Sequence, residues 1–192
     1  MAHIEEVVAL STEYAFPHYL GFALACQGRL LLARELAQEG LALITQGLAE
    51  LRARGGVAST PILFTWLAEA HGLLGQAAEA RNCLAEAARV VETTEERVFE
   101  AELLHRISGD LMAAAGDRSA AEQHYRQAIA VAERQSAKLF QLRASTSLAR
   151  LWRDQGRRME ARDLLAPIYG WFTEGFDAPV LKEAKALLDE LT

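Results

Sequence analysis

The chain has 192 residues, 51% of them hydrophobic and 24% charged, and a formal net charge of −6. That apolar fraction excludes a disordered chain, and two cysteines, Cys26 and Cys83, exclude a disulfide scaffold. The acidic balance argues against general nucleic-acid binding, which needs a basic face to release counterions. Ala and Leu together fill 65 of the 192 positions (36 and 29), and both are favourable in helices, so the composition is that of an all-α domain or helical array.

The first segment, His3 to Tyr14, carries Ile4, Val7, Val8 and Ser11 on one face and ends at Phe16-Pro17. It predicts a lone leading helix over about residues 2–15. It has no basic n-region and no apolar h-region, and the longest apolar run, near Tyr19 to Cys26, is far short of a membrane span. The expectation is a cytoplasmic protein without membrane contact.

From there the chain repeats. Ala80, Ala121 and Ala161 each follow a turn glycine (Gly75, Gly116, Gly156) by five residues, and Gly40 follows Glu35 in the same way. Twelve residues before that column stand Gly28, Ala68, Gly109 and Ala149. Four after it come Ile44, Leu84, Tyr125 and Leu165, and three further on Gly47, Ala87, Ala128 and Ile168. Small residues let two helices approach closely and larger ones fill the space beside them, which is the packing of a helical hairpin.

Four hairpins are predicted, over about 17–55, 59–92, 95–134 and 136–173. Ser59-Thr60-Pro61 reads as the start of the second, with proline in the first turn. In the third, Glu102 to Ala115 forms the first helix and Ser119 to Arg134 the second, with Ser119 and Glu122 as a capping box. No segment alternates with period two for long enough to make a strand. After a loop at Thr173–Asp177, Pro179 opens a capping helix over about 178–191. Its apolar face is Val180, Leu181, Ala184, Leu187, Leu188 and Leu191. The expected fold is an all-α, tetratricopeptide-like, right-handed helical-hairpin solenoid with a C-terminal capping helix, a single domain over 1–192.

The small–small–aromatic columns, as in Gly109, Gly116, Ala121, Tyr125 and Ala128, resemble the tetratricopeptide pattern, with a period longer than the usual 34. A closer resemblance is to the C-terminal repeat region of bacterial predicted ATPases linked to class III adenylate or guanylate cyclases. It rests on Glu13–Pro17, Gly40–Ala42 with Gly47–Ala49, Ala101–Arg106 and, most of all, Leu165-Ala166-Pro167-Ile168-Tyr169-Gly170-Trp171-Phe172-Thr173-Glu174-Gly175-Phe176-Asp177. The resemblance implies a sensing or scaffolding part of a signalling system. The chain contains no phosphate-cradling G-x-x-x-x-G-K-[ST] motif.

Little in the sequence points to catalysis. The five histidines form neither H-E-x-x-H nor a zinc-spaced pair; only His71 and His105, on first helices of neighbouring hairpins, could share a metal, and packed imidazoles are the stronger reading. Cys26 and Cys83 sit among Ala and Leu as core residues. Carboxylate pairs such as Glu5-Glu6 and Asp189-Glu190 diverge on a helix and make a solvated face. Trp66, Trp152, Trp171 and the other aromatics read as packing.

In tetratricopeptide folds the first helices line the concave groove. Mapped onto this sequence, the groove positions include Phe22, Ala25, Ile62, Thr65, Leu103 and Thr146, and the charged ones are Arg29, Glu69, Arg106, Asp110, Arg143, Arg150 and Arg153. Four of these are arginines of the last two hairpins, able to grip carboxylates bidentately, against a plainer reading as i,i+4 pairs such as Arg106–Asp110. The expected function is a non-enzymatic interaction module without cofactor or metal, taking a protein or peptide partner of acidic character, with a homodimer over the Ile4, Val7, Val8 flank. The main rival is a small-molecule sensor, and the third alternative is a hydrolytic enzyme.

Overall fold

A computed structural model describes residues 2–14, 16–53, 55, 60–95, 97–98 and 100–192. Ser59, the expected helix start, lies outside the described residues, as do the side chains of Leu103 and His105. All regular structure among the described residues is helical. The helices are α1 (Ala2–Glu13), α2 (Pro17–Leu32), α3 (Ala37–Arg52), α4 (Thr60–Leu73), α5 (Ala77–Thr94), a π-helical stretch (Ala101–Arg106) running into α6 (Ile107–Ala114), α7 (Arg118–Arg134), α8 (Lys138–Asp154), α9 (Arg158–Tyr169) and α10 (Pro179–Glu190). The chain divides into two compact units, Met1–Arg97 and Val98–Thr192.

In the first unit α2 pairs with α3 and α4 with α5, while α1 lies against α2. The tightest approach is between α2 and α3. A Cβ on Gly21 would lie 2.8 Å from the Gly47 carbonyl oxygen, and one on Gly28 would lie 2.7 Å from that of Gly40. Two glycine pairs, seven residues apart on each helix, thus bring the backbones together, and Ala25, Ile44 and Leu51 close the space around them.

In the second unit the π stretch and α6 pair with α7, α8 pairs with α9, and α10 packs on α8 and α9. Its core holds Leu142, Leu148, Ala149, Trp152 and Leu165, covered by Leu181, Ala184, Leu187 and Leu191 of α10. The expected columns are in place: Ala80, Ala121 and Ala161 are fully buried, as are Ala68 and Ala149. The start of α7 departs from expectation. Asp117, not Ser119, is the N-cap, and its carboxylate accepts the Ala120 N–H at 3.0 Å.

Two series of left-handed turns set the period. Glu35, Gly75, Gly116 and Gly156 turn within hairpins, as the sequence indicated, with φ of 63°, 72°, 84° and 80°. Gly55, Glu95, Ser136 and Gly175 turn between successive helix pairs, with φ of 73°, 57°, 54° and 75°. The step from Ala68 to Gly109 is 41 residues where its neighbours are 40. The extra residue falls between Glu95 and Gly109, the interval that contains the π stretch. A π turn, closing i→i+5 bonds, is how a helix takes in one residue without losing the register after it.

Candidate partner-binding surface

The charged positions expected on first helices come together mainly in the second unit. Arg106 ends the π stretch with its side chain only 12% exposed. Its Nε lies 2.9 Å from Glu102 Oε2, and its Nη1 donates to Asp110 Oδ2. Glu102, 8% exposed, turns its other oxygen to Arg143 of α8, 2.9 Å from Nη2. Asp110 also accepts the Tyr125 hydroxyl at 2.8 Å. Burial, and then the Asp110 charge and hydrogen bond, push the Tyr125 phenol far above its usual range, so it stays a donor at any physiological pH. The result is a chain from Arg143 through Glu102, Arg106 and Asp110 to Tyr125, wedged between the π stretch, α7 and α8.

Beside this chain is a pocket of about 340 Å³, lined by Arg106, Arg143, Thr146, Ser147 and Arg150, with Pro179, Val180 and Glu183 of α10. Arg150 Nη2 is 3.3 Å from Glu183 Oε2. Arg153 is not among the lining residues. One turn beyond Arg150, it pairs with Asp154 at 2.9 Å and with Glu190 of α10 at 2.5 Å. The lining therefore holds three guanidinium groups against one carboxylate.

In the first unit Arg29 of α2 meets Glu69 of α4 at 3.2 Å, both about 30% exposed, making an ion pair between first helices one period apart. Ala25 and Thr65 are fully buried, and the Thr65 hydroxyl donates to the Ile62 carbonyl, so neither is offered to a partner.

Glu102 is the residue the sequence reading missed. The groove column of Arg143 places Leu103 forty residues before it, with the 41-residue step taken earlier, between Ile62 and Leu103. The π stretch shifts everything before it by one, and Glu102 meets Arg143 instead. The 41-residue step shows that a residue is added, but not that the helix takes it up after Glu102. Glu183, on the polar face of the capping helix, carries no sequence signal that sets it apart from its charged neighbours Lys182 and Lys185.

The other candidates have ordinary surroundings. His71 Nδ1 is 2.6 Å from Gln76 Oε1. Cys26 and Cys83 are half-buried, and burial raises both thiols, which works against thiolate chemistry. Among the described residues no cluster of three or more His, Cys, Asp or Glu side chains could hold a metal ion. Nor is any described helix long and apolar enough to cross a membrane.

Among solved structures the chain resembles a protein assigned as a kinesin light chain from Podosopora anserina, with nearly identical TPR-like repeats. The TM-score is 0.63 at 21% identity, over 91% of this chain and 86% of that one. The fold is tetratricopeptide-like. A point variant of the same protein gives a TM-score of 0.62 at 20% identity, over 91% and 85%. No family model matches the sequence, and no curated protein does.

Proposed function

We propose that the chain is a non-enzymatic protein-interaction module whose second unit receives an acidic helix or peptide along α8. The observation behind this is the gathering of guanidinium groups at one pocket, where Arg106, Arg143 and Arg150 all line the wall. Tetratricopeptide-like repeats commonly present such first-helix surfaces to partners. Arg153 would extend the surface at the far end of α8, and Arg29 with Glu69 would offer a patch of the first unit. Partner capture by the wild-type chain should be lost in a folded Arg143→Gln, Arg150→Gln double variant. Unchanged capture would place the binding surface elsewhere. The C-terminal segment 165–177 supports work alongside a signalling ATPase or cyclase in the cytoplasm. Exposed Val7 and Leu10 on α1 suit a homodimer, which sedimentation of the pure chain tests.

A second reading, a small-molecule sensor, is favoured by the bounded form of the same pocket. Its volume suits a small ligand, and its polar groups converge from three separate segments of the unit.

A further inference from the structure

We propose that the second unit's pocket is a binding site for a small dicarboxylate, and that Glu183 fills part of it when the ligand is absent. This rests on the sensor reading and names its ligand class.

The charge count comes first. The lining carries Arg106, Arg143 and Arg150, and with Glu183, Glu102 and Asp110 the cluster balances three guanidinium groups against three carboxylates, so the pocket offers fixed N–H donors rather than net charge. The carboxylates that steady the wall, Glu102 and Asp110, are not lining residues. Buried Glu102 holds both Arg106 and Arg143, while the more exposed Asp110 holds Arg106 and accepts from Ser147 of the lining at 3.5 Å. A guanidinium fixed in this way is already oriented, so less side-chain freedom is lost when a ligand arrives. Glu102 and Arg106 are an i,i+4 pair on one helix face, and the π stretch sets which residue of that face meets Arg143.

The spacing comes second. Arg143 and Arg150 are seven residues apart on α8, two turns, or about 10 Å of helix axis. A compact oxyanion such as phosphate engages one end of that span. Two carboxylates on a short chain can engage both, each in the planar, bidentate manner that guanidinium favours. Thr146 and Ser147 lie between the two arginines, and Pro179 and Val180 supply an apolar wall for the linking methylenes.

Glu183 is the third part. It reaches Arg150 from the first turn and a half of α10 at 3.3 Å, with both side chains about half exposed. A pair that open is weak and exchangeable. A ligand carboxylate takes its place on Arg150, and the contact between α8 and α10 changes with occupancy.

Calorimetric titration of the full chain with succinate, glutarate and adipate tests this, with butyrate and inorganic phosphate alongside. At least one dicarboxylate should bind about tenfold more tightly than butyrate or phosphate. Arg150→Gln and Arg143→Gln should each weaken it by about tenfold, and added salt should weaken it further. Glu183→Gln, which removes the internal competitor from an exposed position, should tighten it severalfold. A pocket with a purely structural role would show none of these changes. Equal binding of phosphate or butyrate overturns the dicarboxylate class and leaves a small-anion site. No heat with any probe, in the wild type and in Glu183→Gln alike, overturns both the inference and the sensor reading.

Discussion

Glu35, Glu95 and Ser136 hold a left-handed backbone with a side chain attached, where their counterparts in the two turn series are glycines. That conformation costs roughly 1–2 kcal/mol for an L-residue, partly offset by the greater freedom glycine has when unfolded. Glu35→Gly and Ser136→Gly should therefore each raise stability by about 1 kcal/mol in urea titrations. Gly28→Ala should do the reverse, by about 1–3 kcal/mol, because its Cβ would press on the Gly40 carbonyl and Ile44. The first turn series was legible in the sequence because three of its four members are glycine. The second was not, because acid and serine at Glu95 and Ser136 disguise it. A charge cluster at α7 and α9 adds a pH dependence. Desolvation alone would raise Glu122, but the groups around it, Arg126, the Trp152 indole and Arg157, outweigh this and hold its carboxyl below the usual range. A hydrogen bond from Arg157 lowers Glu160 in the same way. Groups with lowered folded values stabilise the fold fully above the unfolded carboxylate value, about 4.3, and lose that contribution as pH falls through the lowered values. Arg157→Gln should move acid unfolding, followed by circular dichroism, to a higher pH.

At the level of elements, the π stretch accounts for what the sequence concealed. The columns of small residues fixed the hairpins and their faces, since close helix contact tolerates little else at Ala121 or Ala161. A helix taking in one extra residue leaves those columns intact downstream and changes only which side chain precedes them. Deleting Leu103 removes the extra residue, should return the stretch to an α-helix and sets Glu102 forty residues before Arg143, in the register of the other columns. The chain should keep its helicity, and the coupling energy between Glu102 and Arg143, measured by a double-mutant cycle before and after the deletion, should persist. The capping helix was legible for a simpler reason, an unbroken apolar stripe opening at a proline. Leu187 is 2% exposed within it, and Leu187→Ala should cost about 2–5 kcal/mol. Removing everything from Asp177 onward should uncover Trp152 and Leu165 and produce dye binding or self-association.

For the whole molecule, the notable property is how near in sequence the partners are. Arg29 finds Glu69 and Glu102 finds Arg143 one period away, and within each unit a helix packs on its immediate neighbours in the chain. Such local contacts favour rapid folding, which stopped-flow refolding would record. The same property bears on how the chain emerges from a ribosome. Each helix pair can form as soon as its second helix is made, with no distant strand to wait for. The exception is the face of α8 and α9 that carries Trp152 and Leu165, which stays bare until α10 has followed. For that interval the nascent chain displays this apolar face, and it is there that a chaperone would find something to hold.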